Sequence, residues 1–165
     1  MTVARWVYRA AQFRKALAEQ GKPLAREVIE ACLDPREQAL FHQMSRRDQV
    51  HSINTATLVA GHASACPDLL VAALLHDAGK GEQSIWQRAL YVVLTAVSPA
   101  AIARFARPGG GTRGALHRSL NHASLGAARA AEAGCSEKVC RLIAGHHKPE
   151  SYPESGVLQW ADELA

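Results

Sequence analysis

The stretch Leu69-Leu70-Val71-Ala72-Ala73-Leu74-Leu75-His76-Asp77-Ala78-Gly79-Lys80 runs an unbroken apolar segment straight into an adjacent histidine and aspartate. Such a segment belongs inside a protein, so it delivers both polar side chains to a buried helix end. An unpaired carboxylate there costs several kcal/mol, and Asp77 therefore needs a strong partner. A divalent metal is one, since neighbouring helical residues point about 100° apart and converge on an ion lying between them. A plain helix cap beside a Gly-Lys turn is the other reading, and the pair alone does not separate the two.

Outward from this stretch the signals are helical. Asp34-Pro35-Arg36-Glu37 places a capping residue before a proline at the first helical position, with Glu three residues after the cap, and Ser45 with Asp48 repeats the pattern. Further starts fall at Pro67-Asp68, Ser98-Pro99, Asn121 and Ser136, and stops at Gly61, Gly79, Gly109 to Gly111 and Gly134. Alternating runs rich in β-branched and aromatic residues are absent, as are internal repeats, so the fold class expected is all-α. At 165 residues the chain suits a single compact domain over 1–165, with 1–44 packing on a core at 45–165.

Composition excludes some function classes. With 48% hydrophobic and 21% charged residues the chain is neither disordered nor fibrous. The most apolar run, Ala89 to Val97, is far short of a membrane span and is closed by Arg88 and by Ser98-Pro99. Cys32, Cys66, Cys135 and Cys140 form no C-x-x-C pair, which fits reduced thiols and a cytoplasmic location. A net charge of +4 favours anionic partners. Aromatics at 5% are not interleaved with the arginines, and nucleic-acid binding is not expected. Homo-oligomerisation is left open.

The histidines, eight in all, decide between the two readings of Asp77. His51 lies in the helix begun by Ser45, whose apolar face carries Ile53, Ala56, Leu58 and Val59. His122 follows Asn121 at an expected helix start, where small residues allow close approach. His146 and His147 end the Ser136 helix, and Asp162 lies among Leu158, Ala161 and Leu164. His62 shares a face with His51 but sits about 16 Å further along the axis, and is not expected to reach the same point. His42 and His117 fit no position of the set and read as surface or loop residues.

The order His51, His76-Asp77, His122, His146, Asp162 resembles the HD-domain phosphohydrolase superfamily, all-helical metal-dependent enzymes named for the adjacent His-Asp pair. The resemblance covers Asp48 to Asp162: Leu75 to Lys80 looks like the H-D-x-G-K segment, Asn121 to Gly134 like the second-histidine helix, Ile143 to His147 like the third, and Trp160-Ala161-Asp162 like the final aspartate. It implies that His51, His76, Asp77 and Asp162 surround one metal, while His122, His146 and a bridging Asp77 hold a second. It further implies that Lys80 approaches the phosphate of a small anionic phosphorylated substrate, a nucleotide or related phosphoester, which metal-activated hydroxide attacks. Neutral imidazoles with carboxylates suit Mn, Fe, Co, Ni or Zn better than an oxygen-only cage.

His147 points aside if His146 faces the metals, leaving it to ligate instead, touch substrate or act as general acid. The cyclic-di-GMP phosphodiesterase branch carries H-H-E-x-x-D-G-x-G-Y-P, and the Asp-Gly-x-Gly portion is missing from His146-His147-Lys148-Pro149-Glu150-Ser151-Tyr152-Pro153. The alarmone hydrolases carry Glu-Asp after their His-Asp pair, where this chain has Gly79-Lys80-Gly81. Two other readings keep the resemblance: a mixed-valence di-iron oxygenase with the same ligands, and a non-catalytic sensing or interaction module.

Two segments lie outside this pattern. Met1 to Leu17 carries Val3, Trp6, Val7, Ala10, Phe13 and Leu17 at helical spacing among Arg5, Arg9, Arg14 and Lys15, and reads as a basic amphipathic helix docking on the domain rather than lying on an anionic membrane surface or serving as a targeting segment. Residues 81–120 read as a lid-like insertion: an apolar helix, then Arg104, Arg107, Gly109-Gly110-Gly111, Arg113 and Arg118. Arg113 and Arg118 are candidate phosphate ligands, and the three glycines a flexible connector.

Overall fold

The computed structural model describes residues 26–148 and 153–165. The basic stretch at Met1 to Leu17 lies outside them. Among the described residues the structure is helical with no strand, as expected: α1 (Arg26–Cys32), α2 (Pro35–His42), α3 (Arg46–Ala60), α4 (Pro67–Leu75), a 3₁₀ turn (Ala78–Lys80), α5 (Ile85–Val97), α6 (Pro99–Phe105), α7 (Gly111–Ala133), α8 (Glu137–Gly145) and α9 (Pro153–Leu164).

The capping signals act as their chemistry requires. Asp34 Oδ1 accepts from the Arg36 and Glu37 amides at 2.8 and 2.9 Å, and Glu37 Oε2 accepts from the Asp34 amide at 2.9 Å. Ser45 and Ser136 cap α3 and α8 by accepting from the amide three residues on, and Ser84, which the sequence reading did not single out, caps α5 in a box with Gln87. These contacts satisfy amides that a helix start leaves without intrahelical partners.

Apolar on every side, α4 is the axis of the molecule, and Leu69, Ala72, Ala73, Leu74 and Leu75 are all buried. Phe41 of α2 and Met44 just beyond it, Ala56 and Val59 of α3, Leu142 and Ile143 of α8, and Leu158 and Ala161 of α9 close over it. A smaller cluster of Ile102, Ala106 and Leu116, with Tyr91 and Leu94 against it, joins α5, α6 and α7.

Two local features differ from the sequence reading. The helix expected from Asn121 is the second of two helical stretches within one longer element. α7 begins ten residues earlier at Gly111 and is kinked at Asn121, whose φ of −112° and ψ of 16° are non-helical. The Asn121 amide group donates to the His117 carbonyl at 2.9 Å, so the side chain takes a carbonyl that the helix would otherwise use. His117 accordingly lies within a helix, and His42 ends α2. The second feature is the approach of the 3₁₀ turn to α7. A Cβ on Gly79 would sit 2.1 Å from the His122 carbonyl oxygen and 2.5 Å from the Gly126 nitrogen, so only glycine permits this contact. Gly79 therefore packs rather than stops a helix.

Candidate metal centre

Two helix C-termini, those of α4 and α8, meet side chains from within α3, α7 and α9. His76 caps the C-terminus of α4 and Asp77 follows it; His122 comes immediately after the α7 kink; His146 caps α8. His51 projects from α3 and Asp162 from α9. The close passage at Gly79 brings His122 to Asp77.

Three of the histidines are fixed by one repeated device. The Nδ1–H of His76 donates to the Ala73 carbonyl at 2.9 Å, that of His122 to Ser119 at 2.8 Å, and that of His146 to Ile143 at 2.6 Å, each three residues back. A carbonyl only accepts, so Nδ1 carries the proton and Nε2 is the atom turned into the centre. Outer partners of this kind orient imidazoles for metal binding.

Around Asp77 Oδ1 lie His76 Nε2 at 3.5 Å and His122 Nε2 at 3.7 Å. Asp162 Oδ1 lies 2.7 Å from His51 Nε2 and 3.2 Å from His76 Nε2. Two groups of donor atoms are compact enough for one ion each: His51, His76 and Asp77, and beside them His122, His146 and His147. Asp77 Oδ1, His76 Nε2 and His146 Nε2 are buried without a hydrogen bond. Buried polar atoms are almost always partnered, so this orphaned trio of nitrogen and oxygen donors fits a divalent ion.

Charge tells the same story. Burial would raise the Asp77 pKa, but Lys80 foremost, then His76, His51 and His122, hold it well below the carboxylate range. Asp162 is also low, because its hydrogen bond to His51 and the charge of the neighbouring His76 outweigh its burial. Burial would lower His76, yet Asp77 and Asp162 raise it to about 9. For His122 and His146 burial prevails and the pKa falls to about 4 and about 3, so both are neutral at neutral pH.

His147 does not point aside. Its Nε2 is 2.9 Å from His122 Nε2, and its ring lies 3.9 Å from that of His146, centroid to centroid. Since His122 Nε2 is an acceptor, His147 donates in this pair. Lys80 Nζ contacts Asp77 Oδ2 at 2.5 Å and leaves Oδ1 to the centre. His62 stays away from the centre, as expected, with Nδ1 accepting from the Ser64 amide and its ring near Trp160.

The two arginines expected at the phosphate are placed elsewhere. Arg113 Nε donates to the Phe105 carbonyl at 3.2 Å. Arg118 donates to the Lys80 and Glu82 carbonyls at 3.0 and 3.1 Å, bracing the chain that leaves the 3₁₀ turn. A cavity of about 550 Å³ opens beside the centre, and its polar lining is Lys80, His122 and His147 with Arg47, Gln83, Arg88 and Ser119. Sequence reasoning missed these last four. Arg47 had a signal, since it precedes His51 by four residues and so shares its face. Arg88 had none: it reaches Asp48 Oδ1 and Oδ2 at 2.8 and 2.5 Å across a separation of forty residues.

Comparison with curated proteins and with solved structures returns no match. A family model described as HD domain matches residues 49–165, from the turn before His51 to the end of the chain. With His51, His76-Asp77, His122, His146 and Asp162 all inside that match, the chain belongs to the HD-domain family, whose members bind divalent metals and are in general metal-dependent hydrolases.

Proposed function

We propose that this chain hydrolyses a small phosphoester, a nucleotide or a related molecule, with one or two divalent transition metal ions. The observation that carries the reading is the trio of buried, unpartnered atoms Asp77 Oδ1, His76 Nε2 and His146 Nε2. Each such atom costs on the order of 1–3 kcal/mol if left unsatisfied. His51, His76, Asp77 and Asp162 would hold one ion; His122, His146 and Asp77 would hold a second, with His147 in reach of it. An ion so held lowers the pKa of water and stabilises charge growing on phosphoryl oxygens.

The remaining roles belong to the chain itself. Lys80 stays protonated, because Asp77, Asp48 and Asp162 outweigh the opposing effect of its burial. Its ammonium has donors beyond the one given to Asp77, and it lines the cavity, so it can receive a phosphate oxygen. Arg47 takes the second phosphate contact from the same lining, the role that the sequence suggested for Arg113 and Arg118. His147 holds a proton at Nε2 beside the cavity and is the donor for the leaving oxygen.

The test is metal content by mass spectrometry on tag-free protein, followed by a phosphoester panel. About two ions per chain, near none in Asp77→Ala, and turnover of a panel member are expected. About one ion would reassign His122 and His146 to substrate. No ion after reconstitution, or no turnover by the loaded protein, sinks the reading. Full turnover with redox-inert Zn separates hydrolysis from oxygen chemistry.

A further inference from the structure

Helix α5 is built inside out. Its single charged residue, Arg88, turns inward onto Asp48 and Ser45, and Tyr91 and Leu94 pack on Ile102, Ala106 and Leu116. The opposite arc presents Ile85, Trp86, Leu90, Val92, Val93 and Val97 to solvent, with Trp86 81% and Val97 78% exposed. Phe105 of α6, which packs against α5, adds a further exposed aromatic. Single exposed apolar residues are ordinary, but a continuous face of them marks something that covers it.

Charge identifies the cover. No aspartate or glutamate occurs between Glu82 and Glu132, a span that holds six arginines. Three of these are exposed around α6: Arg104 within it, Arg107 donating to the Ala103 and Ala106 carbonyls, and Arg113 donating to the carbonyl of Phe105 itself. An apolar face bearing Trp and Phe, built on two helices that carry arginines and no acidic residue, complements an anionic bilayer surface. A two-fold contact with a second copy would set like charges against one another. Among the described residues no helix is long and apolar enough to cross a membrane, so the contact is with the surface.

The same helix walls the catalytic cavity. Ala89, Val92 and Val93 are exposed and also line it, opposite Lys80 and His147. We propose that the α5–α6 face seats this domain on an anionic membrane surface, and that the cavity takes from it an amphiphilic phosphoester, phosphate toward Lys80 and apolar part along Val92 and Val93. The substrate half rests on the hydrolase reading above; the seating does not.

Sedimentation of the full chain with phosphatidylcholine vesicles, with and without about 30% phosphatidylserine, tests the seating. Binding is expected at least tenfold tighter to the anionic vesicles, weakened by salt, and lost at least tenfold in Trp86→Gln/Val97→Gln with the thermal midpoint kept. Absence of binding overturns the seating, as does binding that survives the double variant. So does a doubled mass on sizing that this variant abolishes, or binding lost on Trp6→Gln alone. For the substrate half, metal-loaded protein should release phosphate from phosphatidic acid in vesicles at least tenfold faster than from glycerol 3-phosphate. Cleavage of soluble phosphoesters but not of phosphatidic acid overturns that half alone. Vesicle binding with neither cleaved leaves the seating standing and removes the hydrolase reading.

Discussion

Around α4, groups that prefer water are buried: His76, Asp77 and His146 sit within a shell of leucine, isoleucine and alanine. Along α5, groups that avoid water are exposed while its only charged side chain is tucked inward. Each arrangement is unfavourable for an isolated chain, since an unpartnered buried acceptor and an exposed tryptophan both leave free energy unrecovered. The two inversions differ in what resolves them. In the first, fixed imidazoles and carboxylates leave donor atoms aimed at a point, an arrangement that suits a divalent cation. In the second, an extended apolar arc edged by guanidinium groups calls for a surface rather than a point.

The rigid half of this comparison can be broken most severely at Gly79. Gly79→Ala forces a Cβ to within 2.1 Å of the His122 carbonyl oxygen, which is backbone and cannot turn away. A loss of about 3 kcal/mol or more in urea-denaturation stability is expected, with metal content falling because His122 is pushed off Asp77. Gly61→Ala is the control: its nearest neighbour would lie 3.6 Å from the new Cβ, and its φ is helical, so stability should hold or rise by up to about 1 kcal/mol. Equal losses at both positions would mean that the 3₁₀ turn is not a tight contact.

A smaller loss is expected where the two regions meet. Arg88→Leu leaves the largely buried Asp48 without its guanidinium, although Ser45 Oγ stays at 2.6 Å and the charges of Arg47 and Lys80 still act on it. Removing one partner of a buried pair costs up to about 3–5 kcal/mol, and Ser45 keeps this case near 2. Hydrogen exchange should then show α5 opening while α4 and α8 keep their protection. A uniform loss of protection would instead mean that α5 and the centre form one cooperative unit.

Much of the rigid half was legible in the sequence, and little of the other was. Asp34, Ser45 and Ser136 cap through contacts within three residues, so local chemistry fixes them. His51, His76, Asp77, His122, His146 and Asp162 could be picked out because each stands at a helix end or on an apolar face where a polar residue is out of place. Ideal helical spacing turns His147 aside when His146 faces the centre, but α8 ends at Gly145 and the two rings lie together in the turn that follows. Asn121, which captures a carbonyl four residues back, marks the second helical stretch of α7, whereas the ten residues of helix before it carry no such local signal. Arg47, Gln83, Arg88 and Ser119 depend on contacts between distant segments, and Arg118 was read as a phosphate ligand although its guanidinium is engaged with two backbone carbonyls.

Proton release measures how far Asp77 and Asp162 have already charged the centre. With its pKa raised to about 9, metal-free His76 carries a second proton at pH 7, which an ion binding at Nε2 must expel. Zn²⁺ affinity should therefore climb about tenfold per pH unit, or ~1.4 kcal/mol, up to pH 9 and level off above it. His122 and His146, neutral above about pH 5, add no slope there. Titration calorimetry in two buffers of different ionisation enthalpy should return about one proton released at pH 7. The sign for the metal-free fold is opposite: a raised pKa stabilises the folded state fully below pH 6.5, and that contribution is lost as pH rises through about 9. Affinity flat from pH 6 to 8 would mean that His76 is not the proton's site.

The least effect on stability is expected at the most exposed apolar side chain. Trp86→Gln removes an indole that is 81% exposed, so unfolding free energy should change by no more than about 0.5 kcal/mol. Leu74→Ala, in the fully buried turn of α4 before His76, should cost about 2–5 kcal/mol in the same experiment. A tryptophan that contributes nothing to the isolated fold is free to be spent on whatever covers it, which is why its loss should appear in vesicle binding and not in the melt. If Trp86→Gln instead destabilises the free protein by 2 kcal/mol or more, the indole is already covered within the molecule, and α5 belongs with the core rather than opposite to it.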